Sequence, residues 1–284
     1  LHLTAGRYGE TFGATGYWYD DAFDGVRLQY KATDAVNASV GYGYAKGIDL
    51  ATTPQIVELK ADLKAAQAEQ VAQQKRYDEA VAAGVQAAAL EAGVLLEAAK
   101  DAVAANQEAL NKAFNGHSDL KSPEMTYATL GYNGGNFRVV GTYIAPNGDK
   151  VVGAGLDDIW GAGAVFGLNE DFALSGDYFN VGYKDRDDAA FWTARVDFGH
   201  ADMKKPGSFN IFVDYVDAEP GSYLGGSGAL RTASYLSNTE SWAAGFGVVV
   251  AENVKLEGIR TFSAETKDGA DLDDLTKVQL SYKF

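Results

Sequence analysis

The chain has no cysteine, two methionines, three histidines and five prolines among its 284 residues. Without cysteine there is no disulfide framework, no thiolate nucleophile and no cysteine-based metal site, and the absence suits an exported protein that stays unfolded in transit. The histidines, His2, His117 and His200, lie far apart in the sequence and give no zinc spacing. His117 is followed by Ser118 and Asp119, but chain neighbours rarely form a catalytic pair, so no enzyme is expected. Long apolar runs are missing too. No stretch of about 18 residues is free of charge, which argues against a spanning helix; the nearest candidate, residues 80–96, is mostly alanine and is broken by Gln86 and Glu91. Positive charge is scarce, with 24 Lys and Arg against 39 Asp and Glu and a net charge of −15. A nucleic-acid partner is therefore not expected. The first residues carry no secretory signal pattern, so the chain reads as a mature protein or a piece of one.

Glycine (33), tyrosine (16) and phenylalanine (14) are plentiful, as in chains of many strands separated by turns. Apolar and polar residues alternate in segments of about ten. In the final segment Val278, Leu280, Tyr282 and Phe284 share one face, and Lys277, Gln279, Ser281 and Lys283 the other. A lysine at alternate positions fits a water-filled lumen better than a sandwich core. Trp242, Ala244, Phe246, Val248 and Val250 oppose Ala243, Gly245 and Gly247 in the same way, and Val26, Leu28 and Tyr30 oppose Arg27, Gln29 and Lys31. About twelve strands follow, near residues 1–9, 25–34, 36–46, 124–133, 136–145, 156–167, 171–181, 189–199, 207–217, 240–251, 253–263 and 275–284. Residues 253–263 lose phase at Ile259 and Phe262, which predicts a bulge or an early strand end. The connections alternate short and long, and bacterial barrels put the long ones outside. The expected fold is an all-β transmembrane antiparallel barrel.

Residues 51–116 interrupt this pattern with a segment rich in Ala, Glu, Gln and Lys, dividing the barrel into residues 1–50 and 117–284. Thr53 is an expected N-cap with Pro54 at the first helical position. Ile56, Leu59, Leu63, Ala66, Tyr77 and Ala80 keep a 3-4 spacing, as do Leu96, Ala99, Val103, Leu110 and Ala113, and Gly84 lies near the midpoint. The pattern predicts an antiparallel coiled-coil hairpin with arms of about 29 residues, ~43 Å each. Gln70, Gln73 and Asn106 weaken the seam and leave a single long helix as the alternative. Loop parity places the segment in an extracellular loop.

KVQLSYKF, with aromatic or aliphatic side chains at Val278, Leu280, Tyr282 and the terminal Phe284, resembles the signal by which outer-membrane proteins are recognised for barrel insertion. At the other end, LHLTAGRYGETFGATGYWYDDAFDGVRLQY resembles the fifth strand, inward-folded third loop and sixth strand of a general porin, especially the barrels of S-layer-homology-anchored porins of diderm Firmicutes. The resemblance implies roughly the fifth through sixteenth strands of a porin barrel. It further implies a homotrimer in the bacterial outer membrane, contact with membrane lipids and lipopolysaccharide, and passive diffusion of small hydrophilic solutes and ions.

A porin also implies a constriction, where loop carboxylates face basic wall residues across the pore. The loop at residues 10–24 supplies Glu10, Asp20, Asp21 and Asp24. Arg27, Lys31, Arg138 and Arg195 have the lumen phase; Arg7 follows Gly6 in the resembling motif, although alternation from Leu1, Leu3 and Ala5 points it outward. Tyr17, Trp18 and Tyr19 either stack on solutes or pack the loop against the wall. Trp242 and Tyr282 are expected in lipid-facing girdles. No cofactor is expected. Asp268, Asp271, Asp273 and Asp274 suggest at most Ca2+ in an outer loop, without EF-hand spacing.

Overall fold

The computed structural model describes residues 1–283; Phe284, the end of the expected insertion signal, lies outside the described residues. Contacts divide the chain into two units, the first made of Leu1–Asp49, Lys121–Gly148 and the chain from Leu156 on, the second of Leu50–Leu120 and Asp149–Gly155.

The first unit is one antiparallel sheet of twelve strands in sequence order. These are β1 (His2–Phe12), β2 (Tyr19–Lys31), β3 (Val36–Ala45), β4 (Glu124–Gly134), β5 (Phe137–Asn147), β6 (Leu156–Gly167), β7 (Phe172–Tyr183), β8 (Ala189–Gly199), β9 (Phe209–Ala218), β10 (Thr239–Ala251), β11 (Val254–Glu265) and β12 (Thr276–Tyr282). Each strand pairs only with its sequence neighbours, and among the described residues β1 and β12 do not pair with each other. The closed barrel expected from the alternation is thus an unclosed sheet within this chain.

The sheet curves, because the short connection from β1 to β2 touches strands far apart in order. Its residues bond to Arg138 on β5, Asp177 on β7 and Asp214 on β9. Strands lie ~4.8 Å apart, so along a flat sheet β2 and β9 would be separated by ~34 Å, and Tyr17, two residues before β2 begins, reaches Asp214 only if the wall bends around the connection.

The period-2 alternation becomes two unlike faces. On the outer face, large aromatics form two belts. The first is Tyr143, Trp160, Tyr178, Trp192, Tyr215 and Trp242, one per strand from β5 to β10. Its neighbours sit close, with ring centroids 5.5 Å apart for Trp160 and Tyr178, 5.1 Å for Trp192 and Tyr215, and 4.9 Å for Tyr215 and Trp242. The second is Phe137, Phe166, Phe172, Phe198 and Phe209. On every strand from β5 to β9 the two belts are six residues apart, ~20 Å along the strand. Only small or aliphatic outward residues lie between them, such as Ala162 and Ala164 on β6 or Ala194 and Val196 on β8. The inner face buries polar groups instead: Thr142, Asp177, Thr193, Asp214, Ser241 and Thr261. On β12, Val278, Leu280 and Tyr282 are exposed on the outer face.

Two strand expectations need correction. β1 runs to Phe12 and β2 starts at Tyr19, so the expected loop at 10–24 shrinks to residues 13–18. β11 does not end early: it continues to Glu265, with a bulge beside Ser263 at φ 50°. Phe262, ahead of that bulge, shares the outward phase of Val254 and Leu256 by unbroken alternation, and Ile259 is the residue that points inward, buried with Phe212 and Ala243.

The second unit is helical. Its arms are α1 (Pro54–Ala82) and α2 (Gln86–Phe114), each of 29 residues, and Gly84 at φ 69° makes the reversal. The single-helix alternative is therefore wrong. Thr53 holds the N-cap position but its hydroxyl makes no cap bond, donating instead to the Leu50 carbonyl at 2.8 Å. Asn115, left-handed at φ 48°, closes α2 by donating its N–H to the carbonyls of Asn111 and Lys112. Ile56, Gln73, Ala92, Leu96, Ala99 and Ala113 are the buried residues of the two arms. A short helix, α3 (Asp149–Ala154), was not expected; it lies in what read as a plain loop, and Gly153 packs on the Ala113 carbonyl too closely to accept a Cβ. Among the described residues no helix is long and apolar enough to cross a membrane.

Candidate functional site

The connection from β1 to β2 is held inside the curved sheet by side chains of the opposite wall. Asp177 on β7 accepts from the Ala14 N–H at 2.6 Å, the Thr15 N–H at 3.0 Å and the Thr15 hydroxyl. Glycine is required at position 13: φ is 85°, and a Cβ there would lie 2.6 Å from the Asp177 carboxylate. Arg138 on β5 donates to the Ala14 carbonyl at 2.6 Å, so Ala14 is gripped from both its polar groups. Tyr17 donates its hydroxyl to Asp214 on β9, and burial pushes its pKa above the ordinary phenol value. Trp18 stacks on Phe179 with centroids 4.6 Å apart and donates its indole N–H to the Ser222 carbonyl at 2.8 Å.

A second connection, residues 219–238 between β9 and β10, also lies against the inner face. Gly226 accepts from the Asp20 N–H at 2.7 Å, and Gly228 donates to the Gly16 carbonyl at 3.1 Å, so the two connections dock on each other. Arg231 anchors the second. Its guanidinium is fully buried against Asp214, with Nε to Oδ1 at 3.1 Å, and it also donates to the Ser241 hydroxyl at 2.7 Å. Asp214 thus serves both connections, through Tyr17 and through Arg231.

The expected constriction residues divide into three groups. Glu10 and Asp20 line one polar recess with Arg138. Glu10 sits on β1 rather than in a loop; it is buried, paired with Arg27 at 3.0 Å and bonded by the Tyr127 hydroxyl. Arg27, Arg138 and Arg195 do lie on the inner face, but each is engaged. Arg195 pairs with Asp197 at 2.6 Å and covers the Phe212 ring, its guanidinium carbon 3.7 Å from the ring centroid. The second group is misassigned. Arg7 and Asp24 are on the outer face, joined by two bonds of 2.6 and 2.8 Å, with Lys46 at 3.2 Å from the same carboxylate. Strict alternation pointed Arg7 there and the motif resemblance did not, while Asp24 was expected in the inward-folded loop. Asp21 lies on β2 and accepts from the Ala22 N–H, away from the recess, while Lys31 pairs with Asp34 at the exposed end of β2. In the third group Tyr17, Trp18 and Tyr19 are buried, with no ring face open to a solute. Of the two readings weighed for them, packing is the one realised; Tyr19 stacks on Phe12 at 5.0 Å.

Asp177, Asp214, Arg231 and Tyr127 were not singled out. A signal existed for two of them: Asp177 and Asp214 are acids on the inward phase of apolar strands. Arg231 had none, since it sits in a loop of irregular sequence. Of the four loop aspartates named for calcium, Asp274 pairs with Arg260 at 3.0 Å and Asp268 accepts from the Thr266 hydroxyl, and among the described residues no three acidic or histidine side chains are grouped to hold a metal ion.

The recess has a volume of about 350 Å³. One side is the β1–β2 hairpin, with Thr11 and Asp20; the other is the wall, with Asn37, Ser39, Thr129 and Asn133. The Ser39 and Thr129 hydroxyls bond each other at 2.6 Å.

Fold and site together define a wall of transmembrane-barrel type, apolar outside and polar inside, with connections folded against the inner face. No protein-family model and no curated protein matches the chain. Solved structures do match. The crystal structure of Pseudomonas aeruginosa OccK11 (OpdR) is similar over 98% of this chain and 65% of that one, with 11% identity and a TM-score of 0.50. Pseudomonas aeruginosa OccK8 (OprE) matches over 98% and 66%, with 10% identity and a TM-score of 0.46. The outer membrane channel DcaP of Acinetobacter baumannii matches over 99% and 71%, with 10% identity and a TM-score of 0.45. The chain spans about two thirds of the length of the two Pseudomonas chains. At 11% identity the likeness to OccK11 is one of fold.

Proposed function

We propose that the chain is the wall of an outer-membrane porin that lets small hydrophilic solutes and ions diffuse passively, without a chemical step. The observation that carries this is the division between faces. Two aromatic belts bound an apolar band on the outside, as at the two interfaces of a membrane, while the inside buries carboxylates, guanidiniums and hydroxyls. The long connections are proposed to face the cell exterior, with the helical hairpin among them, and the molecule to assemble as a homotrimer among membrane lipids and lipopolysaccharide.

A second role rests on the hairpin. Leu90 is 73% exposed and Val94 64%, on the side of α2 away from the buried Ala92, Leu96 and Ala99. These aliphatics favour a partner-binding or assembly role for the arms. Planar-bilayer recording separates the readings. Stepwise conductance is expected from the full chain and from a deletion of residues 53–115. If both are folded by circular dichroism and neither conducts, diffusion is the wrong function.

A further inference from the structure

We propose that the helical hairpin packs against hairpins of further copies of this chain, the groove on one flank of each receiving an alanine ridge on the opposite flank of the next. This pairing rests on the assembly role of the arms and gives that role its partner. It starts from a shortage of burial. Two arms of 29 residues each bury six residues between them, and only Ile56 and Leu96 of these are large aliphatics. Helices draw most of their stability from packed faces. The pair alone is thin.

The seam, at 3-4 spacing along both arms, leaves two unlike flanks. On the first, Ala89 and Gly93 open a groove of about 750 Å³, with Tyr77 and Leu96 in its floor and Leu90 and Val94 on its rim. Gly93 keeps the ring open to the groove, since a Cβ there would touch Tyr77 at 3.4 Å. Heptad geometry puts Lys60, Lys64 and Lys100 on this flank, outweighing Asp78 and Glu97. The second flank carries a ridge. Leu95, Ala98, Ala102 and Ala105 repeat there at 3-4 spacing, outside the seam and exposed. Around them Glu58, Asp62, Glu69, Glu79 and Glu91 outweigh Arg76 and Lys112. One flank is grooved with a basic surplus, the other ridged with an acidic one. Contact between unlike flanks brings opposite charges together, whereas a two-fold pairing of like flanks sets acid against acid. Such a head-to-tail contact repeats from copy to copy until the rotation closes a ring.

The absence of cysteine makes the contact readable by disulfide trapping in the full chain. Gln74→Cys lies at the groove and Ala98→Cys on the ridge, both exposed, and circular dichroism checks that helix content is kept. Under copper-phenanthroline oxidation the double variant is expected to give dimers and higher multimers on a denaturing gel, and each single variant none. The trapped position is what is read, so copies held together elsewhere in the molecule do not imitate the result. Cross-linking of either single variant, which means that like flanks meet, overturns the proposal, and so does a double variant that stays monomeric. Benzoylphenylalanine at position 90 then separates this pairing from the assembly role on which it rests. Photoadducts with lipid or with a different protein, in a chain whose double variant gives no ladder, remove the self-packing and keep a partner for the arms. A chain with neither ladder nor photoadduct loses both.

Discussion

Asp214 joins three polar groups that are all shielded from water: its own carboxylate, the Arg231 guanidinium and the Tyr17 hydroxyl. A buried ion pair contributes little compared with apolar packing of the same volume, yet breaking one from a single side strands a charge. Arg231→Met is therefore expected to destabilise the protein by about 3–5 kcal/mol, because Asp214 keeps only the Tyr17 hydroxyl. Unfolding by urea in lipid vesicles measures the loss. A drop below about 1 kcal/mol would mean that water reaches Asp214 after the substitution. Single residues of this kind were the least legible part of the sequence. Asp177 and Ala14 are 163 positions apart, and nothing local in either marks the other as a partner. Glu10, Asp20, Asp21 and Asp24 read as loop acids because glycines and aromatics cluster around them, whereas the chain carries them on two paired strands.

At the scale of elements the sequence was far more readable, and the reason is periodic. A strand with one apolar face repeats every two residues, so β3 to β10 could be placed from alternation alone, mostly within two residues of their ends. The pattern failed where a face changes partner: β1 and β2 extend past the wall into the interior, so the alternation stops marking lipid before the strands end. It also failed at α3, whose six residues are too few to show a helical period. The hairpin repeats at 3-4 spacing and was legible as a pair of arms, including its polar interruptions. Gln73 is one of these. It is 5% exposed, its Nε2 donates to Glu69, and its Oε1 has no partner. An unsatisfied buried acceptor costs about 1–3 kcal/mol, so Gln73→Leu is expected to slow amide exchange across α1 and α2 in the full chain, consistent with a gain of about 1–2 kcal/mol. Faster exchange in the variant would show that Gln73 steadies the arms through its bond to Glu69 by more than its unpaired Oε1 costs.

The two aromatic belts make a claim about the molecule as a whole, namely that its outer face meets a hydrocarbon layer bounded at two levels. If so, the cost of a charge on that face depends on height, and the same substitution on the inner face is nearly free. β6 provides two heights of the outer face on one strand. Ala164 lies between Trp160 and Phe166, exposed on the outer face, and Trp160 lies in the belt itself. Ala164→Arg is expected to cost about 2–4 kcal/mol, a value typical of the bilayer midplane, and Trp160→Arg about 0–1 kcal/mol beyond the loss of ring packing. Gln279→Arg on the inner face of β12 is expected to cost less than about 0.5 kcal/mol. Reversible urea unfolding in phospholipid vesicles gives the three values side by side. The ordering is what matters, since a soluble sheet would tolerate Arg at exposed Ala164 as well as at any surface site. Equal small costs at Ala164 and Gln279 would mean that the outer face is wetted, and the apolar band would then need a protein partner to explain it. A steep dependence on height places the lipid boundary at the belts and leaves the polar interior, with its two docked connections, as the water-filled side of the wall.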